Sequence, residues 1–303
     1  MGTSGSSSGP GSGVSMVPPW ADPAPTDGDG ANPQDGANPQ DGKPDDGAAK
    51  PDANATPPPA VPQPAVAPAG RFKGARTNMG SFGKTGDTSS MRRGVGQYVK
   101  KGYGGSSTAT QRMGGTARVA GGLSNALSGG RGAGGTPQSA FIQQMQGKSA
   151  NEIISGIVDA VAPTNGSQDL EASRESIREV LGELVQEKPD VDLLSLDTAS
   201  MELVVERFVA ADVYRRIFLD IGKKIQDAAP NAKAGLQRLR QVKEYVKETV
   251  KSSFKSIREK VGATSNDNVA KIARDSLKET FTVFEGYAAV SYTHLTLPTN
   301  REV

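Results

Sequence analysis

Across 303 residues the chain has no cysteine, one histidine (His294), 37 glycines, 20 prolines and a formal net charge of +2. Missing cysteine excludes disulfides, thiolate nucleophiles and zinc–thiolate sites. His294 lies in a C-terminal stretch read below as foreign, which removes imidazole chemistry as well. The small net charge hides three unlike segments: residues 1–70 carry eight Asp and two Lys, residues 71–135 eleven Lys or Arg and one Asp, and residues 136–288 21 basic and 23 acidic groups.

In residues 1–70, fifteen of the twenty prolines are packed among Gly, Ser and Asp. Such a tract buries too little apolar surface to offset the entropy of ordering, so a disordered acidic tail is expected. It holds a six-residue unit twice, Ala31-Asn-Pro-Gln-Asp-Gly36 and Ala37-Asn-Pro-Gln-Asp-Gly42, too few copies for a solenoid. Trp20, the only tryptophan, closes Met16-Val-Pro-Pro-Trp20 and is a candidate for partner docking, with a solvated ring of no function as the even alternative. The start Met1-Gly2 has neither the basic nor the apolar region of a secretory signal. Methionine removal before small Gly2 would expose an unhindered α-amine, whose ordinary pKa near ~8 leaves part of it nucleophilic at neutral pH, although by its residues alone an unmodified terminus is the better reading.

Residues 71–135 are basic and rich in Gly and Arg, and only partial helix is expected there. Met91 to Lys101 would place Met91, Val95, Tyr98 and Val99 on one side, and Met113 to Leu127 forms a second weak helix, each interior glycine costing about 1 kcal/mol. Arg71, Lys73, Arg76, Arg92, Arg93, Lys100 and Lys101 are the candidate contacts for an anionic partner. With Tyr98 or Tyr103 stacking on bases, that partner could be nucleic acid. A basic linker docking on an acidic protein explains the composition equally well.

From Phe141 the apolar residues recur at helical period, and the core is expected from about Thr136 to Ala288. Ser149-Ala-Asn-Glu152 has capping-box spacing and opens a helix ended by Pro163. Further helices are expected from Leu170 to before Pro189, from Thr198 to Ala228, from Leu236 to about Gly262, and from Val269 to Phe284. No alternating strand pattern occurs, so the fold class is all-α, an antiparallel helical bundle behind the tail. The expected division is a tail over 1–70, a basic segment over 71–135, a helical domain over 136–289 and a foreign stretch over 290–303. No segment approaches 18 continuous apolar residues, so no membrane span is expected, and the absence of cysteine fits a reducing cytoplasm, the expected location.

Motifs that would signal chemistry fail on spacing. Gly83-Lys84-Thr85 and Gly147-Lys148-Ser149 lack the first glycine of a phosphate loop, having Asn78 and Ile142 in its place. Glu171, Glu175, Glu179 and Glu183 share a helix face, but interleaved Arg174 and Arg178 make it a solvated face rather than a metal site. The basic residues of the fourth helix read as ordinary surface. Neither a cofactor nor a metal is expected, and no catalytic residue is assigned.

Val290-Ser-Tyr-Thr-His-Leu-Thr-Leu-Pro-Thr299 resembles the in-frame translation of a sequencing adapter, which implies that the native chain departs from this sequence beyond about Ala289. The start Met1-Gly-Thr-Ser, Met16-Val-Pro-Pro-Trp20, Arg71-Phe-Lys-Gly-Ala-Arg-Thr-Asn78, Met91-Arg-Arg-Gly-Val-Gly-Gln-Tyr98 and Gly102-Tyr-Gly-Gly-Ser-Ser-Thr-Ala-Thr110 resemble the QatB family of the bacterial Qat antiphage defence systems. These stretches lie in the first 125 residues, and the helical half agrees only in general character. The want of histidine, cysteine and a phosphate loop makes a non-enzymatic subunit the expectation, and the resemblance implies its partners: an ATPase, a QueC-like enzyme and a TatD-like DNase. It further implies that Gly2 is the acceptor amine for the base made by the QueC-like partner, and that the helical domain docks the ATPase.

Overall fold

A computed structural model describes residues 70–128, 137–164, 166–262 and 268–288 of the chain. Among them are eleven α-helices and no strand. Gly2, Trp20 and residues 290–303 lie outside the described residues.

Helix α1 spans Lys73–Thr85 and stops at Gly86, whose φ of 76° is the left-handed conformation that closes a helix at little cost. Asp87 then caps α2, Thr88–Gln97, accepting from the Ser89 and Ser90 amides at 3.0 and 2.9 Å. Its carboxyl is held below its ordinary range, first by the Ser90 hydroxyl and then by those two amides. Without a break, α2 passes into a π-helical turn over Tyr98–Tyr103. Helices α3, Ser106–Arg112, and α4, Gly114–Leu127, follow.

After α5, Pro137–Met145, the predicted capping box opens α6, Ala150–Val161: Ser149 and Glu152 each satisfy the other's backbone amide. Helix α7 runs Gln168–Glu187 and α8 runs Thr198–Ile217. The predicted Thr198–Ala228 helix is continuous in direction of chain but not in kind, because a second π-helical turn, Phe218–Gly222, separates α8 from α9, Lys223–Ala228. The chain breaks before Pro230, and α10, Ala232–Val261, packs against α8 and α11, Val269–Gly286.

One hydrophobic cluster runs through the described helices. Met79, Phe82, Tyr98, Leu123 and Leu127 are as fully buried as Ile157, Ile177, Leu181, Phe208, Phe281 and Phe284, and all belong to it. Each such side chain taken out of water contributes roughly 1.5–3 kcal/mol. The core therefore begins at Phe72, not near Thr136 as expected from the sequence. The two weak helices predicted between Met91 and Leu127 are present, and α1 and α3 are additional to them.

The physical reason is the use made of glycine. A Cβ on Gly83 would stand 2.7 Å from the Ile225 carbonyl oxygen of α9, and one on Gly96 2.6 Å from the Ala288 amide nitrogen just past α11. These positions let α1 and α2 lie backbone-to-backbone against the rest of the bundle. Glycines that depress helix propensity locally thus permit the tertiary contact that makes the helix stable.

Candidate functional site

The two π-helical turns face each other across the molecule's main polar cluster. A π turn inserts a residue into a helix and re-aims the side chains around it. In the first turn Tyr98 and Tyr103 are turned toward Asp220 of the second. Tyr98 donates its hydroxyl to Asp220 Oδ2 at 2.8 Å, Tyr103 donates to the same oxygen at 3.4 Å, and the two hydroxyls are 3.3 Å apart. Arg76 donates Nη2 to the Asp220 carbonyl oxygen at 3.1 Å. Burial raises the Asp220 carboxyl above its ordinary value, a change the tyrosine hydroxyls and Arg71 only partly reverse. Burial likewise pushes the Tyr98 phenol well up and Tyr103 up.

Aromatic rings support this cluster from behind. Phe72 stacks on Tyr98 with centroids 5.1 Å apart, and Tyr103 meets Tyr98 edge-on at the same separation. The Arg71 guanidinium lies over Phe72 at 4.4 Å and Tyr103 at 5.4 Å. Gly102 makes room for this stack, since a Cβ there would fall 2.4 Å from the Phe72 ring and force it to shift.

Beside it lies a fully buried carboxylate, Asp212. Its Oδ2 accepts from the Thr116 hydroxyl at 2.5 Å and from Arg216 Nε at 3.2 Å, and its Oδ1 accepts from the Ser173 hydroxyl at 2.9 Å. Arg216, itself buried, reaches on to Asp169 Oδ1 at 2.9 Å. Burial works against the Arg216 charge, but Asp212 and Asp169 outweigh it and its pKa is raised. This knot ties α4, α7 and α8 together.

Two open clefts share Arg112, Asp169 and Arg216 as lining residues. The first, about 490 Å³, is walled by Arg71, Tyr103, Gln168, Leu219 and Asp220. The second, about 440 Å³, is walled by Arg118, Val119, Val161, Pro163, Thr164 and Leu170 among others. Among the described residues no group of three or more acidic or histidine side chains is placed to hold a metal.

The structure separates the basic residues singled out in the sequence. Arg71 and Arg76 belong to the Asp220 cluster. Exposed Arg92 lies on another face, with Tyr245 and Tyr287 at 5.9 and 5.4 Å. Arg93 is half-buried at 3.5 Å from the Ser90 hydroxyl, and Lys73, Lys100 and Lys101 are exposed. Tyr98 cannot stack on a base, being wholly buried, and Tyr103 is engaged with its neighbours. The acidic face of α7 is also more than solvated surface: Glu179 is half-buried and joins Arg215 at 2.8 Å and Lys243 at 2.5 Å. Burial raises its carboxyl, yet Lys243 and Arg215 hold it below its ordinary value. Arg112, Arg118, Asp169, Arg216 and Asp220 carried no local signal, because their neighbours come from distant parts of the chain.

Against known protein families, residues 104–284 match the family described as Qat anti-phage system associated protein QatB, 181 of the 303 residues. The chain belongs to the QatB family. No curated protein and no solved structure matches it. The QatB match covers α3 through most of α11, whereas four of the five sequence stretches that resemble the family lie before it and the fifth, Gly102 to Thr110, runs across its start. It takes in Arg112, Arg118, Asp169, Asp212, Arg216 and Asp220 of the cleft and its floor, and begins one residue after Tyr103. Among the described residues no helix is long and apolar enough to cross a membrane.

Proposed function

We propose that this chain is a non-enzymatic, cytoplasmic subunit of a Qat antiphage defence complex. Its helical body docks the ATPase and the other partner proteins, and its N-terminal Gly2 is the acceptor amine for modification by the QueC-like partner. A TatD-like DNase completes the expected set of partners. The observation that carries this reading is the QatB family match over the helical body, joined in the same chain to a Met1-Gly2 start and some seventy residues of Pro-, Gly- and Asp-rich sequence. A low-complexity spacer of that kind lets an α-amine reach a partner's site without distorting the body that carries it. Docking supplies the high effective concentration of amine at that site.

Nucleic-acid binding through residues 71–131 is the weaker reading. The cations expected to track a phosphate backbone lie on different faces, and both candidate stacking tyrosines serve the Asp220 cluster.

The test is Gly2→Glu in the complete system. A large residue at this position retains Met1, so the nitrogen of residue 2 stays in a peptide bond and offers no amine. Phage protection should be lost while the chain still co-purifies with its partner proteins. Unchanged protection would remove Gly2 from the mechanism.

A further inference from the structure

The Gly2 reading assigns no task to the arginine-lined cleft, whose chemistry is specific. Arg71, Arg112 and Arg118 line the two joined clefts, and none of them makes an ion pair among the described residues. All three are arginine, whose planar fork of donors matches an oxyanion two bonds at a time, where lysine offers a point charge. Arg71 is pre-set, its guanidinium held against the Phe72 and Tyr103 rings. Arg216 between the clefts is already committed to Asp212 and Asp169, so it shapes the floor and leaves the other arginines to meet a ligand.

The walls differ on the two sides of those cations. In the second cleft Val119, Val161, Pro163 and Leu170 form an apolar wall next to Arg112 and Arg118. In the first, Gln168 and Asp220 offer hydrogen-bond acceptors, and Asp220 Oδ1 has no protein donor among the described residues. Each cleft, near 490 and 440 Å³, falls in the range of small-molecule sites, about 300–1,000 Å³. A ligand suited to all of this carries a polyanionic group for the arginines, a flat body of low polarity for the wall, and N–H donors for the acceptors.

We propose that this cleft is a binding site for a nucleoside phosphate, with Arg112 and Arg118 on the phosphates and Arg71 closing the far end. No bond is made or broken there. A phosphate backbone of DNA or RNA fits less well, because Asp169 and Asp220 at the floor repel a continuous run of phosphates, and that backbone carries no donor for their acceptor oxygens.

The test is calorimetric titration of the full chain with ATP, GTP, adenosine, inorganic pyrophosphate and a single-stranded oligonucleotide. The variants are Arg112→Glu/Arg118→Glu and, as a control at an exposed position of α10, which lines neither cleft, Lys255→Glu. Both altered arginines of the first variant are exposed, and an unchanged melting curve verifies that it folds. Saturable binding of ATP or GTP is expected, weakened at least tenfold by the double substitution and unaffected by Lys255→Glu. Adenosine and pyrophosphate should each bind at least tenfold more weakly than the intact nucleotide. The proposal is overturned if neither nucleotide binds, if the double variant binds as the parent does, if pyrophosphate alone binds as tightly as the nucleotide, or if the oligonucleotide is the only tight ligand. Because none of these titrations involves the N-terminus or a partner, failure here leaves the Gly2 reading untouched, and the reverse holds.

Discussion

Asp212→Ala is expected to cost about 3–5 kcal/mol of folding stability, the effect of leaving a buried charge unpaired. Asp212 is fully buried, and its loss strands the buried Arg216 cation with only the exposed Asp169 as counter-ion. It also strands the buried hydroxyls of Thr116 and Ser173, which have donated to it. For a body of this size the melting temperature should fall on the order of 10 °C. The double variant Asp212→Ala/Arg216→Met separates charge from packing. With the cation gone, its denaturation midpoint should lie above that of Asp212→Ala alone, since a buried pair replaced by apolar groups is often neutral. A double variant less stable than the single one would show that Arg216 stabilises the fold without Asp212, contrary to this account.

Gly96→Val carries the second large effect. A side chain there meets backbone, with the added Cβ 2.6 Å from the Ala288 amide nitrogen and 2.8 Å from the Phe284 carbonyl oxygen. A flexible side chain could swing aside, but two main-chain atoms at the end of α11 cannot without moving the helix. Overpacking of this kind costs about 1–3 kcal/mol, and a branched residue belongs at the upper end. Gly182→Ala is the matched control. It also lies inside a helix, but a Cβ there has nothing within 4 Å. Removing backbone freedom from the unfolded chain should then stabilise the protein by about 0.4–1 kcal/mol. Urea denaturation of the two variants reads both signs. Equal effects at the two positions would mean that Gly96 is a flexibility site and not a contact site.

That contrast explains how much of the fold was legible in the sequence. Wherever apolar residues recur at helical spacing between proline stops, the prediction matched closely: Ser149 caps α6, Pro163 and Pro189 bound α7, and Pro230 separates α9 from α10. The failure lay where glycine is dense. Gly74, Gly80 and Gly83 interrupt the pattern of α1, and propensity alone counts them as defects. Their value emerges only with the partner helix in place, which no local window of sequence contains. The π-helical turns were hidden for a similar reason, since Tyr98–Tyr103 and Phe218–Gly222 hold their geometry through contact with each other's residues.

The candidate site was legible in charge but not in arrangement. Composition marked residues 71–135 as the cationic part of the chain, and Arg71 does line a cleft. The anionic half of that site, Asp169 and Asp220, comes from α7 and the second π-helical turn, more than fifty residues further on. Lys100, Lys101 and Arg92 share the charge of Arg71 but not its surroundings. Periodicity says which residues are inside a helix bundle; it does not say which surface cations face one another.

The central claim, that this member of the QatB family acts by offering its own N-terminus, is tested most directly by the mass of the N-terminal peptide. The full-length chain would be co-expressed with its neighbouring genes, digested, and compared with a preparation lacking the QueC-like partner. A Gly2 adduct of deazaguanine mass that disappears without that partner is the expected result. A peptide showing methionine removal and nothing more, with the partner present and active, would contradict the claim.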